Sequence, residues 1–264
     1  MIKLIGVPYD ENSTFAKGPA LAPNKIRQMD TGGSANRFCE FGVAISEGAN
    51  YKDLGDISFS GLGREAVYDK IKDVVNNELF GDHKLISFGG DHSVSFPLIE
   101  AYTKQYPDLH VLHLDAHADL YDDFEGNRFS HASPFARLME LGVLGSLTQV
   151  GVRTLNTHQQ EQAQRFGVQV IEMKDFNFNF IAQLKGPLYI SLDLDVLDPA
   201  YAPGISHHEP GGMTTRQLIQ VIQEINVPVV GADIVELNPK RDLNDTTAMV
   251  AYKLFKEIAF KMLT

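Results

Sequence analysis

Short apolar runs alternate along the chain with segments whose apolar residues recur at helical spacing, the pattern of a parallel sheet covered by helices on both faces. The runs predict strands near Lys3 to Val7, Lys84 to Phe88, Leu109 to Leu114, Thr148 to Val152, Val168 to Ile171, Pro187 to Leu192 and Val227 to Val235. Between them the periodicity predicts helices over Pro23 to Met29, Gly63 to Glu78, Val94 to Gln105, Pro134 to Leu141, Gln159 to Arg165, Thr215 to Glu224 and Thr246 to Met262. Ser93 and Thr214 precede two of these helices and are good N-cap types. Thr31 to Ser60, Asp122 to Ser130 and Pro199 to Met213 carry neither period and are expected to be irregular. With no repeat, low-complexity tract or long linker, the pattern predicts an α/β fold and a single domain spanning residues 1–264.

Composition narrows the picture. A chain of 264 residues with 44% hydrophobic residues can bury one sizeable core. No apolar run reaches the ~18 residues of a membrane span, and Met1 to Gly6 reads as a first strand rather than a signal peptide. The single cysteine, Cys39, excludes an internal disulfide and is expected to be a packed thiol. A cytoplasmic protein without a membrane partner is the expectation. The net charge of -11 comes without a basic cluster, which argues against nucleic acid and would attract a cationic substrate.

Chemistry concentrates where strands end. The apolar run Leu109 to Leu114 leads into Asp115-Ala116-His117-Ala118-Asp119. On an extended chain, side chains two apart share a face, so Asp115, His117 and Asp119 would project together if the strand lasted that far. Carboxylates held so close repel unless a proton or a cation lies between them. Lys84 to Phe88 runs into Gly89-Gly90-Asp91-His92-Ser93, Leu188 to Leu192 into Asp193-Leu194-Asp195, and Val229 to Val235 into Glu236. Taken singly, each is equally well a solvated strand terminus. Together they offer His92, Asp115, His117, Asp119, Asp193 and Asp195 from three strand ends, with Glu236 on a fourth. Six such ligands exceed the needs of one tetrahedral zinc and suit a metal pair.

These motifs, with Ser191 to Pro199 continuing to Ala202-Pro203-Gly204, resemble those of the ureohydrolases, the family of arginases, agmatinases and formimidoylglutamases. The likeness extends from the first strand to the last helix. It implies a three-layer α/β/α sandwich with a central, mostly parallel sheet, and a homo-oligomer, trimer or hexamer. It also implies two Mn(II) ions per chain, one held by His92, Asp115, Asp119 and Asp193, the other by His117, Asp115, Asp193 and Asp195. Asp115 and Asp193 would bridge them. In that scheme a metal-bridging hydroxide attacks the guanidinium carbon, Asp119 orients it and relays its proton, and Glu236 pairs with the guanidinium nitrogens. His131 would protonate the leaving amine; it matches a family histidine that commonly precedes Gly, whereas Ala132 follows it here. His113 is expected to pack or to support a ligand, and His83 and His110 to lie at the surface.

Substrate choice is expected from the acidic loop Tyr121 to Ser130 and from the segment after Val150-Gly151-Val152-Arg153, with Asp122, Asn127 and Asn156 as substrate-binding residues. The acids Asp122, Asp123 and Glu125 suit a cationic tail, and Gly204 to Gly212 resembles agmatinase-type members. The resemblance therefore implies hydrolysis of agmatine to urea and putrescine, a step of polyamine metabolism, with arginine or another guanidino or formimino compound as the alternative. Two other classes stay open: a single-zinc deacetylase-like enzyme, against which the sixth ligand His92 argues, and a non-catalytic family member, which would be expected to have lost ligands.

Overall fold

In the computed structural model, which describes residues 1–32, 35–81 and 83–264, the apolar runs assemble into one eight-stranded sheet. The strands are β1 (Ile2–Gly6), β2 (Tyr51–Asp56), β3 (Lys84–Phe88), β4 (Leu109–Leu114), β5 (Leu144–Val152), β6 (Gln169–Glu172), β7 (Leu188–Asp193) and β8 (Val229–Val235). They lie in the order β2-β1-β3-β8-β7-β4-β5-β6, and every neighbouring pair is parallel. The helices are α1 (Ala22–Thr31), α2 (Arg64–Leu79), α3 (Ser95–Thr103), α4 (Pro134–Leu141), α5 (Thr157–Phe166), α6 (Thr215–Glu224) and α7 (Thr246–Leu263).

Alternation along the strands divides the core. Leu112, Leu114, Ile190 and Ile234 face α1, α6 and α7, where Ile26, Ile222 and Phe255 meet them. Leu109, Val111 and Tyr189 face the other layer, with Ile71 of α2, Leu98 of α3 and Leu138 of α4. Each such side chain contributes about 1.5–3 kcal/mol on leaving water. The result is a three-layer α/β/α sandwich. Among the described residues no helix is long and apolar enough to cross a membrane.

Three details differ from the sequence pattern. β2 lies inside the stretch expected to be irregular; its sequence, Tyr-Lys-Asp-Leu-Gly-Asp, carries little apolar signal because it is an edge strand with mostly accessible side chains. The residue capping the turn into α3 is Asp91, which accepts from Ser93 N at 3.1 Å, and not Ser93. His110 is buried, with Nδ1 2.8 Å from Ser146 Oγ, since its strand is covered on both faces.

Parallel strands bring all their carboxyl ends to one edge of the sheet, where ligands of open α/β folds gather. β3, β8, β7 and β4 are consecutive neighbours there. The loop after β3 comes so close to its surroundings that only glycine fits: a Cβ on Gly90 would lie 1.8 Å from Tyr9 O.

Candidate metal centre

β4 ends at Leu114, so strand alternation does not bring Asp115, His117 and Asp119 together as their spacing suggested. A turn does it instead: Asp115 Oδ1 accepts the His117 backbone N–H, and Asp119 takes φ of 50°. Glu236, just beyond β8, takes φ of 64°. Side-chain-bearing residues in this left-handed region cost on the order of 1 kcal/mol or more, and such positions cluster at functional sites.

The turn and the neighbouring strand ends converge. His92 Nδ1 lies 3.0, 3.1 and 3.2 Å from carboxylate oxygens of Asp115, Asp119 and Asp193. His117 Nδ1 lies 2.9 Å from Asp195 Oδ2 and 3.3 Å from Asp115 Oδ1. Two groups able to hold an ion, His92-His113-Asp115-Asp119 and Asp115-His117-Asp195, thus share Asp115. His117 is half-buried and the others are buried.

Electrostatics follow from that crowding. Burial, then the charges of Asp195 and Asp115, push the Asp193 carboxyl well above the usual carboxylate range. Burial and Asp115 push Asp195 up to about 6. Burial also acts to raise Asp115, but His113, His117 and His92 outweigh it and hold this carboxyl well below its ordinary value. Burial pulls His92 and His117 down, and the surrounding carboxylates more than reverse that, raising both imidazoles well above theirs. The cluster therefore shares protons where positive charge is short, and divalent cations can replace those protons. His92 Nδ1 makes no hydrogen bond although it is buried among three carboxylate oxygens. An imidazole nitrogen so placed, with oxygen donors around it, fits Mn, Fe, Zn or Mg.

The rings are held from behind. His92 Nε2 lies 3.1 Å from Ser191 Oγ, which donates to Asp233 Oδ1 at 2.8 Å, while Tyr189 Oη donates to Asp233 Oδ2 at 2.9 Å. Sequence reasoning missed Ser191 and Asp233. Their signal was a polar residue inside an otherwise apolar strand, since such a group is buried only with a partner.

Beside the cluster a cavity of about 180 Å³ is lined by Thr14, His92, His117, Asp119, Tyr121, Phe124, His131, Thr154, Gln159, His207, Glu209 and Glu236, among others. Glu236 Oε1 accepts from His92 N at 2.9 Å and from His131 Nδ1 at 2.8 Å. Burial acts to raise the Glu236 carboxyl, but the His131 charge and hydrogen bond outweigh it and hold it below the ordinary value. In return, burial lowers His131 and the Glu236 carboxylate reverses this, raising the imidazole to about 9. His131 Nε2 lies 2.9 Å from Thr14 Oγ1.

The three side chains expected to bind substrate from the outer loops are placed differently, and none of them lines the cavity. Asp122 accepts from Arg128 and Arg137 at 2.8 and 3.2 Å. Asn127 accepts from Arg64 and from Phe129 N, both at 3.0 Å. Asn156 caps α5 through Gln159 N and donates to Tyr121 Oη at 2.6 Å. These loops use their polar groups to order themselves. The wall comes instead from Thr14 and Gln159, which no motif marked, from Thr154 just after Arg153, from Glu209 in the Gly204 to Gly212 stretch, and from His207, half-buried with its ring 5.2 Å from that of His131.

Known proteins share the sequence family and the fold. The model of the arginase family matches residues 1–261. Arginase 1, mitochondrial, of Arabidopsis thaliana is 42% identical over 278 residues, an alignment covering 98% of this chain and 80% of the relative. An agmatinase of Bacillus cereus is 32% identical over 268 residues, covering 97% of this chain and 90% of the relative. Among solved structures, the arginase from Medicago truncatula superposes with a TM-score of 0.93 at 39% identity, covering 98% of this chain and 86% of that one.

Proposed function

The chain belongs to the arginase family of hydrolases, and from that premise we propose that it cleaves a guanidino C–N bond of a small cationic substrate, releasing urea and an amine. One observation carries this reading: Glu236 Oε2 is buried, has no hydrogen-bond partner and belongs to a residue of the cavity wall. Oε1 is already occupied by His92 N–H and His131 Nδ1–H. A free oxygen of a buried carboxylate calls for a charged N–H donor, and a guanidinium presents several in one plane.

In this reading His92, Asp115, Asp119 and Asp193 would hold one divalent cation, and His117, Asp115, Asp193 and Asp195 the other. The family resemblance makes Mn(II) the expected metal. Bound there, the pair supplies Lewis-acid activation of water at neutral pH. Glu236 Oε2 anchors the guanidinium and turns its carbon toward the acids. Asp119 takes up the proton of the attacking water. His131, its charge sustained by Glu236, gives up a proton to the departing nitrogen, which would otherwise leave as an anion.

Arginine is the substrate favoured by the relatives, since the Arabidopsis arginase is 42% identical and the Bacillus cereus agmatinase 32%. The cavity itself favours a second reading, agmatine. Among the described residues no Lys or Arg lines it to receive an α-carboxylate, and the Glu209 carboxylate, which would suit a primary ammonium, pairs with none of them. Urea release by the manganese-loaded protein from arginine and from agmatine decides between them. Release from neither, with metal bound, overturns the assignment.

A further inference from the structure

We propose that His113 and Gln149 form a relay that fixes the orientation of Asp115, and that His113 is a positioning residue and not a metal ligand. The proposal rests on the reading that Asp115 is shared by two cations. Proximity alone leaves both roles open, because His113 belongs to one of the groups close enough to hold an ion.

The hydrogen bonds separate the roles. Gln149 on β5 stands opposite His113 in the parallel register, with its Nε2 against Ala118 O and 3.0 Å from His113 Nδ1. A carbonyl oxygen only accepts, so the amide nitrogen must face Ala118 O; turning the amide over would set two acceptors against each other. The amide keeps this orientation although it leaves Oε1 buried without a partner. Since an amide NH₂ only donates, His113 Nδ1 is the acceptor and bears no proton. The proton of the neutral ring then sits on Nε2, 2.7 Å from Asp115 Oδ2, and is donated to it. A nitrogen that carries a proton has no lone pair for a cation. The ring is also held in place, stacked on Phe135 with centroids 3.9 Å apart and edge-on to His92 at 5.0 Å.

The consequence falls on Asp115. Its Oδ2 is oriented by His113 and lies 3.0 Å from His92 Nδ1, while its Oδ1, oriented by the His117 backbone N–H, lies 3.3 Å from His117 Nδ1. The carboxylate is thus set to offer one oxygen to each half of the cluster before any ion arrives. Supporting hydrogen bonds of this kind orient ligands and sustain affinity.

Two measurements test the relay. Heteronuclear NMR of the imidazole nitrogens in metal-free wild-type protein reads the tautomer: a proton on Nε2 and none on Nδ1 of His113 is expected, and the opposite tautomer or a doubly protonated ring overturns the proposal. In addition, His113→Phe keeps a ring against Phe135 but removes the donor. In the folded variant, Mn(II) titrated against a competing chelator should bind about tenfold to a hundredfold more weakly with unchanged stoichiometry, and His113→Gln, which restores an N–H, should recover part of the loss. Unchanged affinity, or the loss of one ion at saturating Mn(II), overturns the positioning role. Should the wild type bind no pair of ions, the metal reading has failed, and the NMR result still decides the tautomer.

Discussion

Glu236 and His131 sustain each other's charge across 2.8 Å, and the chemistry proposed for them depends on that bond. Glu236→Gln removes the charge that faces the guanidinium, so kcat/KM should drop about tenfold to a hundredfold, the range of a hydrogen bond to a charged group. Metal content should stay as it is; steady-state kinetics with metal analysis checks both. His131→Ala should lower kcat about a hundredfold or more, as loss of a general acid does, again with metal retained. The pH dependence follows from the same pair. An imidazole raised from about 6.5 in the unfolded chain to about 9 stabilises the fold fully below the lower value and loses that contribution as pH rises through about 9. Wild-type turnover should fall over that upper range, and a profile flat through it would remove His131 as proton donor. The residues of the cluster were legible in the sequence because acids and imidazoles at the ends of apolar runs are costly unless something gathers them. Thr14 and Gln149 were not, because a polar residue in a loop or strand gains its meaning only from what the folded chain sets beside it. Asp122 and Asn156 illustrate the reverse: suggestive in sequence, they are used up by Arg128, Arg137, Gln159 and Tyr121.

Elements with a strong apolar period were readable, and the edge strand β2 was not. β4, with all its residues buried, stands where its pattern put it, whereas β2 escaped notice because an edge strand needs little apolar content. α6 shows how much a local signal can carry. Thr214 Oγ1 accepts from Gln217 N at 3.1 Å and Gln217 Oε1 accepts from Thr214 N at 2.9 Å, a reciprocal cap that the Thr-x-x-Gln spacing encodes. Thr214→Ala should lower stability by about 1 kcal/mol, read by chemical denaturation, and should leave turnover untouched because α6 stands apart from the cavity. Turns resisted prediction most. The segment from Asp115 to Asp119 gathers its side chains through a left-handed residue, a geometry that alternating polar positions do not announce.

For the molecule as a whole, the buried cluster makes metal part of its stability. A cation that binds only the folded chain adds about 2.7 kcal/mol at a hundredfold excess over its Kd. Chelation should therefore lower the thermal midpoint by several degrees, and restoring Mn(II) should reverse it; a midpoint indifferent to metal would mean that the cluster is closed to ions. In the proposed centre, four carboxylates and two imidazoles from three strand ends hold a pair of cations with Asp115 between them. Anomalous diffraction at the manganese edge from crystals grown with Mn(II) tests it most directly. One peak beside His92 Nδ1 and a second beside His117 Nδ1 are expected, each next to an Asp115 oxygen. A single peak, or peaks elsewhere with His92 and His117 still bound to their carboxylates, would contradict it.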